Sequence, residues 1–209
     1  MIVLKVGGSV AGIAELGALE DAVVVHGAGP QITAAMARAG LTATFVRGRR
    51  VTDAEALPVV REALLAVNRQ LCAAIGSRAV GLVGDEIGLR ATPVPELGHV
   101  GAPVPSRPQA ILDALDAGLV PVVAPIAEGP LNVNADEAAA ALAVGLGAER
   151  IVFHTDVAGV VLPRIGADEA DRLLAGDLFE GGIVPKLRAA VDAARGGVRA
   201  EIGMTEVVA

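Results

Sequence analysis

Short runs of β-branched residues alternate along this chain with longer runs rich in Ala and Leu, and nothing else in the sequence constrains the fold as strongly. The strand-like runs cover 2–6, 22–26, 42–46, 79–83, 119–125, 150–155 and 206–208. Each is apolar nearly throughout, as strands covered on both faces are. Helical patterns fill 30–39, 53–77, 108–117, 135–146, 168–175 and 184–195. Such alternation implies right-handed βαβ units and an α/β fold with a mainly parallel open sheet between helices.

The punctuation agrees with that frame. Thr52-Asp53-Ala54-Glu55 reads as a capping box ahead of the second helix, and Ser106 with Gln109 repeats the pattern ahead of the third. Gly118 stands where a helix-terminating glycine is expected. Pro58 should kink its helix or reset the start. The stretch 93–108 holds five prolines and reads as a structured excursion rather than a linker. The weak candidate for a boundary is Gly145–Glu149, between a helix and the next strand.

A core for 209 residues must be built here from Val, Leu, Ile and Ala, because aromatic residues make up only 1% of the chain. That composition argues against base-stacking nucleic-acid platforms. The net charge of −7 argues against non-specific binding to nucleic acid or anionic lipid. Mean hydropathy is high, at +0.59. Even so, uncharged stretches such as the one from Gly118 to Ala127 fall far short of the ~20 residues of a membrane span. The single cysteine, Cys72, excludes an internal disulfide and fits a reducing compartment. The expectation is a cytoplasmic protein with no nucleic-acid and no membrane partner.

Four groups of residues could carry chemistry. Gly7-Gly8-Ser9 follows the first strand, and Gly27-Ala28-Gly29-Pro30 follows the second and opens a helix. Such turns are either tight connections or anion sites made of unpaired N–H groups and a helix dipole. Neither matches a Walker A loop or a dinucleotide-binding fingerprint. Of the 17 basic residues, only Lys5 and Lys186 are lysines, and both stand beside glycine pairs. A compact ammonium suits contact with a transferring phosphoryl group; the alternative is a chance lysine snorkelling at a sheet edge. In Leu131-Asn132-Val133-Asn134-Ala135-Asp136, the two Asn share a face of an extended segment and Asp136 falls at a helix start, as a binding element or as a simple cap. Arg47-Gly48-Arg49-Arg50 is either a solvated loop, half of an ion pair, or a clamp on a carboxylate. His26, His99 and His154 have no ligand spacing and read as structural.

Taken in order, these segments resemble the amino acid kinase family, and within it the acetylglutamate kinases. Lys5-Val6-Gly7-Gly8-Ser9 is similar to the family's opening strand and turn. His26-Gly27-Ala28-Gly29-Pro30-Gln31-Ile32 resembles its second glycine turn, and Arg50-Val51-Thr52-Asp53 its carboxylate-binding motif. Leu97-Gly98-His99-Val100-Gly101 resembles the lid hairpin. Leu131–Ala138, Thr155-Asp156-Val157-Ala158-Gly159-Val160 and Gly181-Gly182-Ile183-Val184-Pro185-Lys186 complete the series.

The resemblance implies a three-layer αβα sandwich, a single domain over 1–209, that binds the amino-acid substrate in an N-lobe (1–148) and ATP, with Mg²⁺, in a C-lobe (149–209). It implies Lys5, Lys186 and Asp136 as catalytic residues, the lysines stabilising the transferring phosphoryl group and Asp136 holding them. Gly7, Gly8, Gly27 and Gly29 would bind phosphoryl oxygens, and Ala28, Arg50 and Asn132 the substrate. Thr155, Asp156, Gly159, Gly182 and Lys186 would line the nucleotide site, with no metal ligands. The implied reaction is phosphorylation of the γ-carboxylate of N-acetyl-L-glutamate, in arginine biosynthesis. The rival readings are a relative acting on carrier-protein-linked glutamate or aminoadipate, and a non-catalytic nucleotide- or oxyanion-binding relative.

The chain departs from the pattern in places. Ser9 to Asp21 is shorter than the family's first crossover, Ala28 stands where glycine is usual, and the segment after Val161 is trimmed. No helix precedes Met1, so the expectation is a homodimer that arginine does not inhibit.

Overall fold

The buried-strand runs lie side by side in a computed structural model that describes residues 1–8, 13–154, 162–176 and 182–209. The chain begins with β1 (Ile2–Val6), β2 (Ala22–His26) and α1 (Gly29–Arg38). A small hairpin follows, made of β3 (Phe45–Val46) and β4 (Arg49–Arg50), and then the long helix α2 (Ala56–Ile75). Next come β5 (Ala79–Val83), the single-turn α3 (Gly84–Ile87), β6 (Ala91–Pro93), β7 (Val100–Pro103) and α4 (Gln109–Asp116). After these lie β8 (Val120–Ala124), β9 (Ile126–Ala127), β10 (Leu131–Val133), α5 (Ala135–Leu146) and β11 (Arg150–Phe153). The last elements are β12 (Arg164–Gly166), α6 (Ala167–Ala175), α7 (Ile183–Arg195), β13 (Arg199–Ile202) and β14 (Thr205–Val208).

Among the described residues, one large sheet runs in the order β12-β14-β13-β11-β1-β2-β8-β5. Its pairs are parallel except β13 with β14. Alternation within each strand divides the core. Val24, Val122 and Ala124 face α1 and α2, where they meet Ile32, Met36, Leu64 and Leu71. Val3, Val23, Val25, Ile151 and Phe153 face the other way, onto Leu142 of α5 and Leu187 and Val191 of α7. The result is the αβα sandwich expected from the strand–helix alternation. The proposed lobe boundary falls between the neighbouring strands β1 and β11, and residues from both halves share one core.

Several local expectations change. Pro58 resets the start of its helix, which begins at Ala56. The cap is Asp53, whose Oδ1 accepts from the N–H groups of Glu55 and Ala56. Thr52 is buried and turned inward, so the capping-box pattern misread it. Ser106 caps nothing; its hydroxyl donates to Val104 O and accepts from Arg90 N, while Gln109 bonds Asp113 within α4. The proline-rich stretch builds a second sheet, β6-β7-β10-β9. Residues 97–101 are part of it: Leu97 and Val100 are buried, and Thr52 exchanges backbone bonds with Leu97 and His99. They form no lid; the free-standing hairpin is β3–β4, which occupies only the two ends of the strand-like run read at 42–46 and the Arg knot after it.

Candidate functional site

Strand β1 leads to β2 on one side of it and lies beside β11 on the other, so the sheet order reverses at its C-terminal end. Crevices form at such switch points. Lys5 sits there, on the face of β1 that looks toward α5, and only 7% of it is exposed. Its Nζ lies 2.9 Å from Asp136 Oδ1. Lys186, in the second turn of α7, reaches the same carboxylate at 3.3 and 3.4 Å. Two ammonium groups from distant parts of the chain thus share one buried acid. Burial pushes the Lys5 ammonium below its ordinary value; Asp136 opposes that shift and the neighbouring Lys186 adds to it.

Asp136 is not the helix cap. Asn134 is: its Oδ1 accepts from the N–H groups of Asp136 and Glu137, at 2.8 and 3.2 Å. That leaves the Asp136 carboxylate free to face the lysines. The other end of the Asn134 amide donates to Gly48 O at 3.0 Å. Asn132, two residues earlier on the same face, donates from Nδ2 to Thr52 Oγ1 at 2.9 Å, and Thr52 donates in turn to Arg50 O.

The glycine turns divide their work. Gly27 N already donates to Val6 O at 2.9 Å, so this glycine offers no donor to an anion. It lies beside the lysine: a Cβ there would make ordinary contact with Lys5 Nζ at 3.9 Å. Ala28 and Gly29 open α1, which has no side-chain cap. Their N–H groups precede the first helical bond, from Ile32 to Ala28 O, and point out of the helix start. The Ala28 methyl is buried in the core beside Ile32 rather than standing free in the cleft. Gly7 is open to solvent, while Gly8 is fastened to the second turn: Gln31 Nε2 donates to Gly8 O at 2.7 Å. A side chain at Gly8 would collide with that amide.

Arg50 is 6% exposed. Its Nη2 donates to Gly29 O and Thr33 Oγ1, its Nη1 contacts Met36 Sδ, and the Phe45 ring lies 4.5 Å from its guanidinium carbon. Lys5, Arg50, Asn132 and Asp136 line one cavity of about 190 Å³, together with Ala28 and Gly29. His26, behind the turn, is fully buried. Asn68 Nδ2 bridges its Nε2 to Val122 O. Burial holds its pKa down to about 4, so it stays neutral and structural. Gly182 immediately precedes α7, close in sequence to Lys186. Thr155, Asp156 and Gly159 lie outside the described residues.

Sequence reasoning named both lysines, Asp136, Arg50 and Asn132; the structure brings four of them to one cavity and joins Lys186 to it through Asp136. It gave no role to four of the groups that hold them, Gln31, Thr33, Phe45 and Thr52, and left Asn134 between binding element and cap. Phe45 carried a signal, being an aromatic next to the basic knot in a chain almost without aromatics. Among the described residues no group of three or more His, Cys, Asp or Glu could hold a metal ion. The donors that line the cleft suit an anion.

Comparison with known proteins gives the chain a family. The model of the amino acid kinase family matches residues 1–203. An acetylglutamate kinase of Rubrobacter xylanophilus is 43% identical over 225 residues, spanning 96% of this chain and 87% of that protein. One from a Roseiflexus species is 40% identical over 225 residues, spanning 95% and 86%. Among solved structures, smu.665 from Streptococcus mutans aligns with a TM-score of 0.86 at 26% identity, over 99% of this chain and 98% of that one. Carbamate kinase from Giardia lamblia bound to AMP-PNP shares the fold, with a TM-score of 0.72 at 16% identity over 99% and 97%. The chain belongs to the amino acid kinase family.

Proposed function

We propose that this chain phosphorylates the γ-carboxylate of N-acetyl-L-glutamate with ATP, giving an acyl phosphate in arginine biosynthesis. The observation that carries the reading is the convergence of Lys5 and Lys186 on Asp136, in the same cleft as Arg50. The names of the relatives at 40–43% identity support the choice of substrate.

The chemistry follows from the donors. A carboxylate oxygen of the acceptor attacks the γ-phosphorus, the bond to the bridging oxygen breaks, and ADP leaves. The acceptor is already ionised, so no general base is needed, and positioning with charge neutralisation carries the rate. Lys5 and Lys186 lie where negative charge develops on the phosphoryl oxygens, and Asp136 keeps their two like charges together. The N–H groups of Ala28 and Gly29 add donors from the α1 start. Gly8, tied to Gln31, brings the first turn up to the second. Arg50 and Asn132 hold the acceptor's other carboxylate. Bound together with ATP, Mg²⁺ would supply neutralisation of the phosphate charge. The nucleotide body belongs on the C-lobe side, by Gly182 and the segment 155–159.

An ADP-release assay over a carboxylate panel tests the reading. N-acetyl-L-glutamate should support turnover, and free glutamate, carbamate and carrier-linked glutamate or aminoadipate should not. Turnover with the carrier-linked acceptor alone would replace it. Lys186→Met should lower kcat by about 10²–10³ while ATP still binds by calorimetry; unchanged turnover would remove the paired-ammonium mechanism.

A further inference from the structure

The β3–β4 hairpin cannot hold itself in place. Each strand has two residues, joined by Arg47 and Gly48 at φ of +50° and +81°. That is the primed turn in which Asn or Gly is comfortable and an arginine is strained. Phe45 and Val46 are both exposed, so no burial anchors β3. An isolated ribbon this short is not stable in water.

Its position comes from outside contacts, and the two residues of β4 reach opposite ways. Arg50 turns to the start of α1, where Gly29 and Thr33 accept from it. Arg49 turns to the start of α5. Its Nε lies 3.0 and 3.1 Å from the two Glu137 oxygens, and its Nη2 lies 2.9 Å from Oε2. Beside that pair, Asn134 donates to Gly48 O, and Gly48 packs so close to Pro185 that a Cβ would approach it to 3.2 Å. β4 therefore bridges two helix N-termini, one supplying the unpaired N–H groups and the other supplying Asp136.

We propose that the Arg49–Glu137 ion pair is a latch that fixes the hairpin, and with it Arg50 and Phe45, over the acceptor cleft. Both are positioning residues for acceptor binding, which deepens the functional reading above and rests on it. The pair is bidentate, the stronger form of such contacts. It borders the reaction cavity on one side and a groove of about 550 Å³ between α5 and α7 on the other. With 27% and 20% of the two side chains exposed, either can be changed without opening the core.

The test uses the full chain with Glu137→Gln, Arg49→Met, their double variant, and the exchange Arg49→Glu with Glu137→Arg. With N-acetyl-L-glutamate varied at saturating ATP, each single variant should raise its KM about tenfold and leave kcat within about twofold, since the contact supports binding rather than the chemical step. The double variant should be no worse than either single one, and the exchanged pair should recover part of the loss. Unchanged KM in both single variants, or additive losses in the double one, overturns the latch. Hydrogen exchange of the free proteins gives a readout independent of substrate. The amides of 44–51 should exchange faster in Glu137→Gln while those of α2 and β8 stay as in the parent. If the parent does not turn over N-acetyl-L-glutamate, the substrate assignment falls and hairpin exchange alone decides the latch; equal exchange overturns it.

Discussion

Lys5 and His26 are both buried bases at the ends of adjacent strands, and burial acts on them with opposite functional meaning. In the proposed mechanism Lys5 must be charged to act, yet burial lowers its pKa. In the free enzyme, kcat/KM for ATP should therefore fall on the alkaline side with an apparent pKa below the 10.5 of an unperturbed lysine. Lys5→Arg should abolish that limb within the accessible pH range while lowering kcat by about 10²–10³; a limb that stays in place assigns the titration elsewhere. His26 must stay neutral, and its pKa of about 4 against 6.5 shows how strongly the core resists the proton. Above pH 6.5 both folded and unfolded chains hold it neutral, and it contributes nothing to the pH dependence. Below that the unfolded chain takes up a proton that the folded one refuses, so stability is lost as pH falls, by about 2 kcal/mol at pH 5. Urea unfolding of the parent and of His26→Gln at pH 7 and pH 5 should show the variant losing less over the interval by about that amount; equal losses would mean that His26 does not drive it.

Helix α5 shows what an element built from small residues requires. Ala138, Ala139, Ala140 and Ala143 are buried, so the helix lies close to its neighbours. Gly145, near its end, backs directly onto the main chain of Ser106, and a Cβ there would overlap Ser106 backbone atoms. Ser106 cannot yield cheaply, because its hydroxyl is tied to Val104 and Arg90. Gly145→Ala should therefore destabilise the protein by about 1–3 kcal/mol, against the usual helix preference for Ala, as a lower urea midpoint would show. How much could be read in advance differs among elements for similar reasons. The strands read at 22–26 and 119–125 declare themselves because burial on both faces demands continuous apolar runs. β13 does not, because its Arg and Glu alternate on a partly open face, and β10 does not, because three residues show no period. The two lysines stand out because nothing else in the chain uses lysine. Thr52 is misleading because a cap and an inward-facing hydroxyl precede a helix with the same letters. The Arg47–Arg50 knot reads equally well as a solvated loop, because its partners, Glu137 and Thr33, are far off in sequence or hidden in a helix.

In the whole molecule, the central strand is the first one in the chain. β1 pairs with β2 almost at once, but its other edge waits for β11, where Ile2 meets Arg150. A chain emerging from the ribosome therefore carries a buried-type strand with one side of its amide ladder open until most of the protein has been made. Unpaired edges recruit other chains, so fragments ending before Arg150 should aggregate, and synthesis stalled in that interval would expose a sticky edge rather than a half-working enzyme. Lys5 likewise has no second ammonium beside it until Lys186 has been added and α7 has docked. On the proposed mechanism, a fragment that lacks α7 would not transfer a phosphoryl group.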